Sequence, residues 1–393
     1  MSHTGEYNKL SYHYVDTAGD LETLCNALAS APYVAIDTEF LRENTYYPEL
    51  CLVQVKFEDT LACIDTVAIA ADGLAPLSNL LTNTDITKVL HSASQDMEIF
   101  FMLDKRPAAP VFDTQVAAPL LGHAEQIGYG NLVKEVLSVT LAKAHTRADW
   151  SRRPIPDNQL HYALDDVIYL EQLYLKLHER LKKAGRLEWL ENDFNELSRP
   201  ERYNKPAKNM WQKLRSAQSM KGPQLAILQA LAEWREITAR ETNRPRNWIL
   251  KDDALADLAK QRPGSIKELS HLRSIGARTR DKHGKQLISL IEDNANAEPT
   301  PLPDFVKKKK PGASAQAAID VLSALVSIKA VEHNINATQL ASKKMLEACW
   351  QEGNANPLSG WRHALLAQDI ENCLQGTSAP AIENGKGVMI DVV

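Results

Sequence analysis

The sequence predicts an α/β domain, a mixed sheet flanked by helices, followed by two all-α regions. Three observations carry this. Apolar stretches rich in β-branched residues, such as YVAIDTEF and LCLVQVKF, alternate with helical patterns up to about residue 200. Beyond that point strand patterns vanish and amphipathic helical stretches take over. A Pro- and Lys-rich stretch, NAEPTPLPDFVKKKKPGAS, separates two such helical runs. The 393 residues exceed one typical core and suit two or three domains.

YVAIDTEF and LCLVQVKF read as strands and LACIDTV as a third. The short polar turn EDT makes the last two a hairpin. TKVLHSAS is a fourth strand running into a helix from about Gln95. PVFDTQVAAPLLG starts extended and turns helical, and PDNQLHYALDDVIYLEQLYLKLHERLKKAG is a helix with Gly185 as its C-terminal stop. A hairpin followed by βα units implies a mixed sheet covered by helices, assigned to residues 1–200. PQLAILQALAEWREITARETN, KDDALADLAKQR, SIKELSHL and DKHGKQLISLIEDN form a compact helical domain at 209–295. Ser265 and Glu268 there have capping-box spacing. Residues 296–312 are a linker, 313–376 a second helical domain, and 377–393 a poorly ordered tail. No residue-level repeat relates the two helical regions.

Composition narrows the function classes. Hydrophobic residues make up 44% and charged residues 24%, ordinary for a globular chain. No apolar run approaches the roughly 20 residues of a membrane span, and MSHTGEYNKL lacks the apolar core of a signal peptide. A cytoplasmic protein without membrane contact is expected. Cys25, Cys51, Cys63, Cys349 and Cys373 form no Cys-x-x-Cys pair or zinc-spaced cluster, and read as packed thiols. Net charge is −5, yet Lys205 to Leu250 holds nine Lys/Arg against three Asp/Glu. That local stripe suits a nucleic-acid backbone; a solvated helix face is the plain alternative. The run Lys307 to Lys310 reads as a soluble linker.

The chemistry lies in three stretches. In IDTEF, Asp37 and Glu39 are two apart on a strand and share one face. Such neighbours raise each other's pKa unless a cation sits between them. HSASQDMEIF places Asp96 early in a helix. HYALDDVIYL places Tyr162 and Asp166 four apart on one helix face, with Leu164, Val167 and Ile168 on the buried side. Asp165, three from Tyr162, is also within reach, and periodicity leaves both aspartates open. An all-oxygen donor set without Cys or His suits Mg²⁺ or Mn²⁺. Two such ions about 4 Å apart serve phosphodiester hydrolysis.

IDTEF, HSASQDMEIF and HYALDDVIYL resemble the three exonuclease motifs of the DEDD superfamily, in its tyrosine-containing branch. DTEFLRENTYYPELCLVQV and GYGNLVKEVLSVTLAK…DWSRRPIPDNQLHYALDDV resemble ribonuclease D. Residues 209–295, with RPRNWILKDDALADLAK, resemble the helicase-and-RNase-D C-terminal (HRDC) domain, and the stretch from about 313 a more divergent copy. The resemblance implies an RNase H-like exonuclease fold followed by two HRDC-like domains. It implies 3′→5′ hydrolysis of RNA with release of 5′-nucleoside monophosphates, from tRNA precursors and other structured RNA 3′ ends; separately, a monomer is expected. It implies metal ligation by Asp37, Glu39, Asp96 and Asp166, selecting Asp166 over Asp165, and a water-orienting role for Tyr162. Ala142 stands before Lys143 where relatives often carry an acid.

Other residues have weaker claims. Phe40 and Tyr46 are candidates to stack on a terminal base, Gln54 to touch a sugar hydroxyl, and Arg147, Arg152 and Arg153 around Trp150 to contact phosphate. Asp113 reads as a helix cap, and His91 and His161 as structural neighbours of the motifs. A DNA exonuclease and a non-enzymatic binding scaffold are the rival functions. The complete acidic set disfavours the scaffold.

Overall fold

The computed structural model describes residues 3–141, 148–301 and 312–392. They fall into two compact units. One gathers Met1–Glu39, Leu50–Pro200 and Lys309–Val393, and the other Phe40–Glu49 and Glu201–Lys308.

In the first unit seven strands form one sheet: β1 (His3–Tyr7), β2 (Leu10–Val15), β3 (Tyr33–Leu41), β4 (Glu49–Phe57), β5 (Thr60–Ile64), β6 (Thr87–Leu90) and β7 (Val111–Asp113). Their order is β1-β2-β5-β4-β3-β6-β7. β4 and β5 are antiparallel with Phe57 opposite Thr60, the hairpin that EDT predicts. β2–β5, β3–β6 and β6–β7 are parallel and β1–β2 antiparallel, so the sheet is mixed. The N-terminal hairpin was not among the expected strands. Its turn residues Asn8 and Lys9 both take positive φ (50° and 65°) without the usual glycine. Val34, Ala35 and Ile36 are fully buried in β3 and fix its register just before the acids. Behind the sheet runs the helix Asp157–Lys183. Leu164, Val167, Leu170, Leu173, Leu177 and Leu181 form its buried face, and Gly185 (φ 68°) follows its end as predicted.

The C-terminal helices share that unit's core. Ile319, Leu322, Leu325, Ile335 and Leu340 belong to one buried cluster with Leu120, Leu121 and Ile127. The Arg186 guanidinium donates to the carbonyls of Leu120 (2.7 Å) and His333 (2.6 Å), and Trp189 stacks on Trp361 at 4.7 Å. The helix Ala313–His333 is long and apolar enough to cross a membrane by length and composition, which the sequence reading did not anticipate. Its Ile319, Leu322 and Leu325 are spent on this core. The expected tail is instead a hairpin, Ser378–Glu383 with Lys386–Asp391. It turns at Asn384-Gly385, both with positive φ (51° and 76°), the Asn-Gly signal of a type I′ turn.

The second unit has its own core, built by Pro223–Glu241, Asp252–Gln261 and Ala277–Asp293. Trp211, Leu228, Leu231, Leu255, Leu258 and Leu287 lie in it. Ser265 accepts from the Glu268 amide as its spacing predicts, while the Glu268 carboxylate takes the Gly264 amide.

Candidate active site

The sheet and two helices bring the acids together. Asp37 and Glu39 lie at the middle and in the second half of β3, and Asp166 faces them from the Asp157–Lys183 helix. Each offers a carboxylate oxygen within 4.8 Å of the others. Asp96 lies in the first turn of the helix Ser94–Asp104, buried, and accepts a hydrogen bond from the Thr38 hydroxyl. The Asp113 carboxylate accepts from the amides of Ser92 (2.9 Å) and Ala93 (2.8 Å), which sets the turn from β6 into that helix. It also caps its own helix through Gln115, as its sequence context predicts.

Electrostatics mark the four acids as unusual. Burial first, then Asp166, Asp96 and Glu39, hold Asp37 well above the carboxylate range. Burial with Asp166 and Asp96 pushes Glu39 up to about 8. Burial raises Asp96 to about 6 against the Thr38 hydrogen bond, and burial with Asp165 raises Asp166 to about 7. A cluster that resists ionisation in its own company is one that a hard cation would relieve. The donors are all oxygen, so the residues fit such an ion.

The two neighbouring aspartates separate here. Asp166 joins Asp37 and Glu39, whereas Asp165 accepts from the Tyr7 hydroxyl at 3.0 Å. Tyr7 also stacks on His161 at 4.2 Å. The Tyr129 hydroxyl donates to the carbonyls of Asp165 (3.1 Å) and Asp166 (2.7 Å) and so pins the turn of helix that carries the acid. Sequence reasoning gave Tyr129 no role; only its presence in GYGNLVKEVL marked it. Burial, Asp166, Glu39 and Asp37 raise the Tyr162 phenol, which therefore stays protonated at neutral pH. Trp150, buried, lies 6.4 Å from it between ring centres.

Several expected RNA contacts are corrected. Arg153 uses all five N–H donors internally: on Asp65 twice, and on the carbonyls of Trp150, Arg152 and Cys51. It has no donor left for phosphate. Gln54 is 0% exposed in β4, with both faces of the strand covered, so a sugar cannot reach it. Tyr46 belongs to the second unit, where its hydroxyl meets Glu236 and its ring lies under Arg246 at 4.7 Å. Phe40, also grouped with that unit, is partly exposed, and Arg152 is exposed. Arg147, Ala142, Lys143 and the run Lys307 to Lys310 lie outside the described residues. His91 is tied to Thr114 and to the Ile127 carbonyl, a structural role.

The chain is similar to known proteins along most of its length. Residues 12–182 match a 3′-5′ exonuclease family and residues 224–291 the HRDC domain. Ribonuclease D of Sphingobium indicum is 38% identical over 373 residues, spanning 93% of this chain and 95% of that one. Ribonuclease D of Granulibacter bethesdensis is 36% identical, spanning 93% and 91%. Escherichia coli RNase D, an exoribonuclease involved in structured RNA processing, superposes with a TM-score of 0.78 at 31% identity over 93% of this chain and 98% of its own. The catalytic core of RRP6 from Trypanosoma brucei follows at 0.55 and 25% identity, over 72% and 79%. With identities of this size along nearly its whole length, the chain belongs to the ribonuclease D family.

Proposed function

We propose that this protein is a metal-dependent 3′→5′ exoribonuclease that trims tRNA precursors and other structured RNAs, releasing 5′-nucleoside monophosphates. The observation that carries the reading is the convergence of Asp37, Glu39 and Asp166 oxygens within 4.8 Å, with Asp96 in electrostatic reach. Asp37, Glu39, Asp96 and Asp166 would hold two divalent cations, Mg²⁺ or Mn²⁺. When bound, such ions acidify water and neutralise charge developing on phosphate oxygens. Tyr162, protonated beside the acids, donates a hydrogen bond that orients the attacking water. Tyr129 and Thr38 keep Asp166 and Asp96 from drifting.

We read the C-terminal helices as a second, divergent HRDC-like domain. Ala313–His333, Ala337–Leu340, Lys343–Glu352 and Gly360–Gln375 repeat the long, four-residue, ten-residue, long order of Pro223–Glu241, Arg246–Ile249, Asp252–Gln261 and Ala277–Asp293. Ile266–Leu269 has no counterpart among the described residues. The core of the C-terminal helices is shared with the nuclease sheet, which supports a buttressing role.

The test is release of nucleoside monophosphates from the 3′ end of a tRNA precursor with Mg²⁺ or Mn²⁺, beside a matched DNA 3′ end. Stepwise trimming of RNA is expected, and Asp37→Ala should lower it by about 10³-fold or more. Normal activity in Asp37→Ala would overturn the site, and preference for DNA would overturn the substrate class.

A further inference from the structure

The second unit carries a cationic cavity of about 290 Å³ that the catalytic acids do not explain, lined by Arg244, Trp248, Arg278, Thr279, Lys282 and His283. We propose that it is a binding subsite for single-stranded RNA, in which one base stacks on Trp248 and the flanking phosphates meet Arg244, Arg278 and Lys282. This deepens the exoribonuclease reading and rests on it for the identity of the polymer.

Trp248 is the first reason. It is 57% exposed, although an indole ordinarily finds cover in a fold this size. The helix Arg246–Ile249 buries Ile249 in the core and leaves Trp248 outside. An exposed indole flanked by guanidinium groups is a stacking platform for any base.

The cations are the second reason. Part of this unit's positive charge is spent internally. Arg235 pairs with Asp252, and Arg240 and Arg246 both pair with Glu236. So three of the nine basic residues in the Lys205–Leu250 stripe are unavailable to RNA. Arg244, Arg278 and Lys282 have no ion pair or side-chain hydrogen bond among the described residues, and unlike the other unpaired cations of the unit they gather around Trp248 in a cavity that no acid lines. Arg278 and Lys282 are four apart on one face of Ala277–Asp293. They sit near the N-terminus of that helix, whose first turn has no acid. Cations there oppose the helix dipole. An anion bound between them would reverse that penalty, and a phosphate backbone supplies a row of anions. His283 also lines the cavity, edge-on to Trp234 at 5.2 Å, with burial and Lys282 lowering its pKa. It is therefore neutral at pH 7 and adds no charge.

The test uses the full chain in chelator, so that binding is read without turnover. A labelled single-stranded RNA is titrated at several salt concentrations against wild type and the variants Trp248→Ala, Trp248→Phe, Arg244→Gln, Arg278→Gln and Lys282→Gln. Trp248→Ala should weaken binding roughly tenfold and leave the salt dependence unchanged, while Trp248→Phe keeps most of the affinity. Each cation variant should lower the slope of log K against log salt by about 0.7, the value for one phosphate on a single strand. Wild-type affinity and slope in Trp248→Ala would overturn the subsite, and capture of a protein by this face with no change in RNA binding would do the same. A failure of catalysis in the tRNA assay is a separate result, because no hydrolysis enters this measurement.

Discussion

Removing one acid from the active site should make the metal-free protein more stable. The structure gives the size of the effect. Asp166 sits at about 7 in the fold against an ordinary 3.8, through burial and Asp165. Fully expressed, a rise of about 3 pH units corresponds to about 4 kcal/mol. Its sign follows from proton counting. Below about pH 4 both folded and unfolded chains hold the proton, so wild type and Asp166→Asn melt alike. Between about 4 and 7 the unfolded chain releases it and the folded chain retains it, so wild type loses stability as pH rises. Above 7 the whole penalty is present. In chelator at pH 8, Asp166→Asn should melt roughly 5–10 °C above wild type in the transition of the unit that holds the site. Mg²⁺ or Mn²⁺ should stabilise wild type far more than the variant and reverse the order. The assay is a calorimetric melt at pH 4 and pH 8, with and without metal. Equal or lower stability of Asp166→Asn at pH 8 in chelator would refute the claim that these carboxylates crowd one another.

Two further substitutions probe neighbours of the acids. Tyr162→Phe should retain metal-induced stabilisation but lose about 10²-fold in rate; single-turnover hydrolysis equal to wild type would remove its proposed role. Arg153→Ala leaves Asp65 buried without its partner and should cost about 3–5 kcal/mol at pH 7. Asp65 is held below the usual carboxylate range, mainly by Arg153 and Tyr14 working against burial. That stability is therefore present above the unfolded pKa and lost as pH falls through the folded value, so the two proteins should converge in acid. Thermal melts at pH 7 and pH 3 check this. An Arg153→Ala protein that melts like wild type but binds RNA with a shallower salt slope would restore the phosphate contact.

What was legible in the sequence is what local periodicity controls. Alternation along β3 put Asp37 and Glu39 on one face, and the phase of the long helix separated Tyr162 and Asp166 from Leu164 and Val167. Choosing Asp166 over Asp165 was beyond periodicity, because the choice is made by Tyr7, 158 residues away on β1. Gln54 looked available because its strand was visible but its place between β5 and β3 was not. The apolar faces of 313–376 announced helices and gave no hint that their core would be the nuclease sheet's own. Two Arg-Trp clusters make the physical point. Arg152 and Arg153 beside Trp150 were expected to contact phosphate, while Arg244 and Arg246 beside Trp248 stood only as part of the basic stripe from Lys205 to Leu250. In the fold, Trp150 is buried and Arg153 is consumed by Asp65, an acid 88 residues distant. In the other cluster Glu236 takes Arg246, while Arg244 has no ion pair among the described residues and lines a cavity with an exposed indole. Residue type alone does not tell the two clusters apart. The long-range placement of a single carboxylate decides which guanidinium is structural and which is left to meet a ligand.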